Sequence, residues 1–204
     1  MPRSVEVLAA LLLVVATSPL LLASILISAL FIGLPPFHIS KRVGRNGVEY
    51  NHWKIRTMKE GEETGRVFFE TDRIPPCGAV LRRLHIDELP ELVLILLGKM
   101  SFVGPRPLPA RLLAGLETAG RQKVRPGWTG PAQVVLLRKG KLNKRVQIRL
   151  DGVYVRRRSF GYDIRIVLAT VAELFRRRRP LDLDPEASPD RARFAERVRG
   201  ERLD

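Results

Sequence analysis

VLAALLLVVATSPLLLASILISALFIGLPPF, residues 7–37, carries no charged side chain, and no charge appears between Glu6 and Lys41. So long an apolar run marks a membrane segment. A secretory signal would have a shorter apolar region and a small-residue cleavage site, and Ala29-Leu30-Phe31-Ile32-Gly33 is a poor one. As one straight helix, Val5 to Leu34 would measure roughly 45 Å against about 30 Å of hydrocarbon, too long to cross untilted. Thr17-Ser18-Pro19 stands in the middle. Proline removes a backbone donor and disfavours helix in the residue before it, while the Thr and Ser hydroxyls are placed to satisfy freed carbonyls. A break at Ser18-Pro19 leaves two halves of about 21 Å each, too short to span separately. Arg3 precedes the segment and Lys41, Arg42 and Arg45 follow it, so both ends carry the cationic mark of the cytoplasmic side. Two topologies stand level on these grounds: a re-entrant helix-break-helix, and one tilted, proline-kinked spanning helix.

The remainder of the 204 residues has room for one compact domain. With 36 Lys and Arg against 21 Asp and Glu, the formal net charge of +15 calls for an acidic partner: nucleic acid, anionic lipid or a phosphorylated substrate. The single cysteine, Cys77, excludes an intramolecular disulfide and a cysteine-based zinc site.

Past the membrane segment, Gly44-Arg45-Asn46-Gly47 has an Asn-Gly signal between Arg42-Val43 and Val48-Glu49-Tyr50, which predicts a small β-hairpin. Glu60 to Gly65 reads as an exposed loop, and Pro75-Pro76 precedes a helix starting near Gly78. From Ile86, the apolar residues Leu89, Leu92, Val93, Leu96 and Leu97 keep helical spacing and predict a core-facing stripe that Gly98 ends. Gly104 to Pro109 holds three prolines in five residues and must be an extended irregular loop. Arg111 to Glu117 reads as a short helix, and Arg125 to Pro131 as a second rigid loop. Val146 to Tyr154 suits helix or strand. Ile164, Val167, Leu168, Val171, Leu174 and Phe175 form an amphipathic helix with Arg165 at one end and Arg176 to Arg179 at the other. Its stripe fits the core or an anionic membrane face equally well. The chain from 180 to 204, rich in Arg, Asp, Glu and Pro, reads as a mobile tail.

Chemistry concentrates between Asp72 and Leu108. Asp87 and Glu88 are adjacent carboxylates at the start of an apolar helix, just after Arg82, Arg83 and His85. The plain reading is an acidic pair favoured by the helix dipole. The sharper one is a nucleophile toward phosphorus, or a ligand for Mg2+, which takes one or two carboxylates together with substrate phosphates. Arg106, between Pro105 and Pro107, has the restricted freedom of a bidentate phosphate clamp.

Taken together, these motifs resemble the bacterial sugar transferases, the monotopic phosphoglycosyl transferases that begin membrane glycan assembly. The resemblance runs through Ser18-Pro19, Arg42-Val43-Gly44, Lys54-Ile55-Arg56-Thr57-Met58, Asp87-Glu88-Leu89-Pro90, Met100 to Pro107, Arg125 to Gly130 and Leu150 to Tyr154. It implies an α+β protein in three parts. Residues 1–37 form a re-entrant membrane helix with a Ser18-Pro19 break, and 180–204 a tail. Residues 38–179 form a small, mostly helical catalytic domain with a β-hairpin and interfacial amphipathic helices.

The activity implied is transfer of a phospho-sugar from a UDP-sugar to undecaprenyl phosphate at the cytoplasmic face of the bacterial plasma membrane, starting exopolysaccharide, capsule or related glycan synthesis. Asp87 would attack the β-phosphorus and release UMP, with Glu88 as its dyad partner and Mg2+ as cofactor, Asp87 being its ligand. Arg106, Lys54, Asp151, Arg82 and Arg83 would serve substrate and phosphate binding. Phospholipids would be further partners, and homo-oligomerisation is left open.

Departures from the family pattern fall at His85-Ile86, Glu91 and Lys99, none of which removes a catalytic group, and at Val135-Leu136-Leu137-Arg138, where many members carry Gly-Arg-Asn. That last difference bears on nucleotide or sugar recognition. A nucleic-acid binder is disfavoured because the few aromatics are scattered rather than interleaved with cations. The competing reading is a catalytically impaired scaffold holding glycan-assembly enzymes at the membrane.

Overall fold

A computed structural model describes residues 1–60, 73–114 and 120–176. Helix α1 covers Arg3–Phe31, 29 residues with Pro19 inside. The expected division into two halves is not seen as an interruption of the helix, and the side chains explain why. Pro19 leaves the Val15 carbonyl without its usual N–H donor; the Ser18 hydroxyl supplies one at 2.8 Å, and Thr17 Oγ1 does the same for Leu13 at 2.7 Å.

Both ends of α1 dock on the rest of the protein while its middle stays bare. At the start, Glu6 is buried and accepts from the Ser101 hydroxyl, and Arg3 Nη2 donates to the Ile95 and Leu96 carbonyls at 2.6 and 3.0 Å. Toward the end, Ser24 and Ser28 are buried, and Ser28 Oγ donates to the Arg56 carbonyl at 2.8 Å. Between them Leu11, Leu12, Val15, Leu20 and Leu22 are exposed, which is stable only in an apolar medium.

Strands β1 (Phe37–Val43) and β2 (Glu49–Ile55) pair antiparallel, Arg42 opposite Tyr50 and His38 opposite Lys54, across a turn in which Asn46 takes φ 57. This is the hairpin expected from Asn46-Gly47. Helix α2 (Pro76–Arg83) follows, with proline at its first position.

The stretch from Ile86 departs from the uniform helix its spacing suggests. His85 adopts a left-handed conformation (φ 55), Ile86–Glu88 form a single 3-10 turn, and α3 is only Glu91–Leu96. Glu91, Leu92, Leu94 and Ile95 are its buried residues, whereas Leu97 is 58% exposed. A six-residue helix so apolar on all sides cannot define one stripe.

Two short strands follow, the second inside the Arg125 to Pro131 stretch expected as a rigid loop. β3 (Ser101–Val103) and β4 (Gly127–Thr129) pair in parallel, Ser101 with Gly127 and Val103 with Thr129. Gly104 to Pro109 is the expected irregular loop, tied to the hairpin where Val43 N donates to the Leu108 carbonyl at 2.9 Å. Where a helix is expected over Arg111 to Glu117, the described part shows one 3-10 turn, Ala110–Leu112, and residues 115–117 lie outside the described residues.

Helices α4 (Pro131–Lys139), α5 (Lys144–Arg157) and α6 (Phe160–Arg176) complete the domain. Val146 to Tyr154 therefore belongs to a helix, capped at Asn143, whose side chain accepts from the Arg145 N–H at 2.8 Å. Along α6, Ile166 enters the core, but Leu168, Val171, Leu174 and Phe175 are exposed. The core itself unites Ala10 of α1 with Leu92, Leu94, Ile95, Met100, Phe102, Val103, Tyr154 and Ile166. The expected loop over 61–65, the Arg177 to Arg179 run and the tail from 180 lie outside the described residues.

Candidate active site

Asp87 and Glu88 sit on the 3-10 turn between α2 and α3, wedged against β2. The left-handed His85 before them and the buried Pro90 after them give this turn its shape. Alternation along β2 sends Tyr50, His52 and Lys54 to one face, and the last two meet the turn and the start of α3. Lys54 Nζ pairs with Glu88 Oε1 and lies 3.5 Å from Glu91 Oε1, whose other neighbour is His52 Nε2 at 3.2 Å. His85 Nδ1 stands 3.7 Å from Glu88 Oε2.

This arrangement treats the two carboxylates of the dyad differently. Burial pushes the Asp87 carboxyl up to about 6, and Lys54, His85 and Arg82 oppose the rise. Burial also acts to raise Glu88, but His85 and Lys54 outweigh it and hold the group well below the usual carboxylate range. Lys54 loses solvent too, yet Glu88 and Glu91 keep its pKa above the ordinary lysine value. Glu88 is thus engaged on both oxygens. Asp87, 8% exposed and absent from every hydrogen bond found among the described residues, is the carboxylate left for chemistry. A carboxylate made more basic by desolvation is a stronger nucleophile while still ionised at neutral pH.

The other expected site residues fall in two places. Arg82 and Arg83 are both exposed; Arg82 joins the Asp87 group, its Nε donating to the Thr57 hydroxyl at 2.6 Å. Arg106 and Asp151 belong to a second group built on the proline loop and α5. Asp151 is fully buried, 3.3 Å from Arg121 Nη2, and the same Arg121 nitrogen donates to the Arg106 carbonyl. Arg42 connects the two groups. Its pKa is lowered chiefly by burial, with Arg106 and Arg111 adding to the fall and Glu91 opposing it. Lys144, similarly lowered by burial and then by Arg106, Arg121 and Arg42, adds to this cationic cluster. Such an excess of cations fits a phosphorylated ligand.

Glu91, His52, Arg42 and Arg121 are site residues that the sequence does not single out as such. For His52, the strand alternation was a usable signal. A buried Arg121 had none, since arginine in a polar stretch reads as surface.

The chemistry of the donor set bears on a metal. No three His, Cys, Asp or Glu side chains among the described residues are placed to share an ion. Asp87, a buried carboxylate outside the hydrogen bonds found among the described residues, is a donor of the kind Mg2+ takes, the rest of its shell coming from water and phosphates. The stretch Val135 to Arg138, where the family pattern is altered, lies inside α4, and Arg138 pairs with Glu173 of α6 at 2.8 Å.

Against known proteins, the model of the bacterial sugar transferase family matches residues 1–177. The chain belongs to that family. It is 35% identical over 175 residues to the uncharacterized sugar transferase EpsL of Bacillus subtilis, covering 84% of this chain and 86% of that one. It is 37% identical over 186 residues to the UDP-glucose:undecaprenyl-phosphate glucose-1-phosphate transferase of Caulobacter vibrioides (84% and 68% covered). It is also 32% identical over 189 residues to the exopolysaccharide production protein ExoY of Sinorhizobium fredii, with 83% of each covered. Membership makes this bacterial sugar transferase an enzyme of the transferase class, carrying an apolar helix fit for membrane association.

Proposed function

We propose that this sugar transferase moves a sugar phosphate from a UDP-sugar to undecaprenyl phosphate at the cytoplasmic membrane face. The observation that carries the reading is the asymmetric dyad: Asp87 buried, basic and uncommitted, beside a Glu88 locked by Lys54 and His85. An Asp87 carboxylate oxygen attacks the β-phosphorus, a P–O bond forms, and the bond from that phosphorus to the bridging oxygen breaks, releasing UMP. An oxygen of undecaprenyl phosphate then attacks the same phosphorus. The acyl phosphate bond breaks, Asp87 returns as carboxylate, and a lipid-linked diphospho-sugar leaves. Lys54 keeps Asp87 ionised, Arg106 and its cationic neighbours bind phosphate oxygens, and Glu88 orders the turn. Mg2+, held by Asp87 and the substrate phosphates, would neutralise charge on the diphosphate.

The reading is tested by UMP release over a panel of UDP-sugars with undecaprenyl phosphate and Mg2+. Activity is expected with at least one donor, falling tenfold per pH unit below about pH 6 as Asp87 protonates. A full panel with no UMP released refutes the activity.

A re-entrant α1 is part of this proposal. Both its ends dock on one domain, through Arg3 and Glu6 at the start and Ser28 at the end. A straight spanning helix of about 43 Å would carry its ends to opposite faces of the bilayer. The exposed stripe Leu168, Val171, Leu174 and Phe175 gives α6 a face for the same interface. In a Cys77→Ser background, single cysteines at Ser4 and at Ser40 are both expected to react with impermeant maleimide only in inside-out vesicles. Labelling of the two from opposite sides would establish a spanning helix instead.

A further inference from the structure

The Gly104 to Leu108 loop is anchored at its flanks by backbone hydrogen bonds of 2.9 Å each: Gly104 N to the Thr129 carbonyl, Gly127 N to the Pro105 carbonyl, and Val43 N to the Leu108 carbonyl. Pro105 and Pro107 fix their own φ angles, and Pro107 biases Arg106 toward extended backbone. The Gly127 contact holds the Pro105 carbonyl, in the peptide unit before Arg106, but none of the three reaches the Arg106 carbonyl. That carbonyl is held by Arg121, on the 3-10 turn Arg121–Lys123, whose Nη2 donates to it.

Arg121 is 5% exposed and Asp151, 3.3 Å from the same nitrogen, is 0% exposed. Asp151 therefore has no surface that a substrate can touch, although the sequence placed it among the phosphate-binding residues. Its carboxylate lies instead against Arg121 and the Arg106 backbone N–H. A guanidinium buried this deeply is stable only when paired, so Asp151 on α5 fixes where Arg121 sits, and Arg121 fixes where the Arg106 backbone sits.

We propose that Arg121 and Asp151 are a buried positioning pair that sets the Arg106 backbone so that its guanidinium meets the donor diphosphate. This rests on the function proposed above, and the pair touches no reacting atom. A positioning role has a signature that a bulk structural role lacks: it vanishes once the group being positioned is gone.

The experiment is a double-mutant cycle on the full-length enzyme, measuring kcat and KM for the UDP-sugar in Arg121→Lys, Arg106→Ala and the double variant. Lysine keeps the charge but loses the planar guanidinium whose Nη2 reaches both Asp151 and the Arg106 carbonyl. Arg121→Lys is expected to lower kcat/KM by about 10- to 100-fold in the native background. In the Arg106→Ala background it is expected to cost less than about twofold, because interacting sites are not additive. An equal loss in both backgrounds overturns the proposal, as does no loss in the native one.

Amide exchange gives a reading that needs no activity. In Arg121→Lys and in the isosteric Asp151→Asn, exchange of the peptide spanning Gly104 to Leu108 is expected to speed up at least tenfold, with that of β1 and β2 unchanged. If both variants speed up exchange throughout the domain, the pair is core structure and the positioning role is wrong. An enzyme inert toward every UDP-sugar whose loop still loosens in this way would sink the functional reading while leaving the pair's hold on the loop intact.

Discussion

Asp87→Asn removes UMP release, with kcat falling on the order of 10^4 or more, while the protein stays folded. Loss of a covalent nucleophile costs nearly the whole chemical acceleration, because the remaining groups serve a bond that no longer forms. Folding responds in the opposite direction. Asp87's folded pKa of about 6 lies above its unfolded value, so the fold binds its proton more tightly than the unfolded chain does. Stability from this group therefore grows as pH falls from about 6 toward 4, and at pH 8 its buried charge is a cost. Asparagine removes that cost, up to about 3 kcal/mol, and Tm at pH 8 is expected to match or exceed that of the native protein.

Below pH 4 the two melting curves should converge. In parallel, native enzyme incubated with UDP-sugar but no lipid acceptor is expected to gain the mass of one sugar phosphate on the peptide holding Asp87. An active enzyme that never shows this adduct, or an Asp87→Asn variant that still turns over, removes the covalent mechanism.

What the sequence disclosed follows from how far apart the interacting groups lie. The apolar run from Val7 to Phe37 and the Asn46-Gly47 turn are local signals, and both elements are where they were expected. Ser18 capping the Val15 carbonyl is equally local, because proline at 19 orphans the carbonyl four residues back. The β3–β4 pair escaped notice because each strand has three residues, is bordered by prolines, and finds its partner across an intervening stretch that includes residues 115–119.

Even the glycines there mislead. Gly104 and Gly127 read as turn residues, yet a Cβ on either would collide with backbone atoms of the other strand's segment, so they mark close packing of two chain passes. Nor did residue type disclose depth. Asp87, Glu88, Lys54, Arg106 and Asp151 were all named from motifs, but only the structure separates Asp87, with Lys54 and Glu88, from Asp151, which is sealed beneath the Arg106 loop.

Lys54→Met is expected to damage stability and chemistry together, for one electrostatic reason. The Lys54 ammonium is shared between Glu88 and Glu91, and the side chain of Glu91 is only 4% exposed. Methionine fills much the same volume but leaves three carboxylates, Asp87, Glu88 and Glu91, close together, with His85 and Arg82 as the charges still opposing them at the dyad. Lys54 and Glu88 are each about a quarter exposed while Glu91 is sealed, so the loss falls between that of a surface pair and that of a buried one, about 1 to 3 kcal/mol.

The sign with pH is fixed. Lys54's raised pKa means that its stabilisation is fully present below its unfolded value and is lost only as pH rises through the still higher folded value, so the loss in Lys54→Met is complete at pH 7 to 9. It shrinks below about pH 4, where carboxylates protonate and no longer need the ammonium. Lys54 also heads the groups that draw Asp87 down. Its removal should move the acid limb of kcat/KM upward from about 6 by on the order of one pH unit, an effect that a purely structural lysine cannot produce. A variant that melts with the native protein at pH 8 and keeps its acid limb in place would mean that Lys54 governs neither carboxylate, and that Asp87 owes its ionisation to His85 and Arg82 alone.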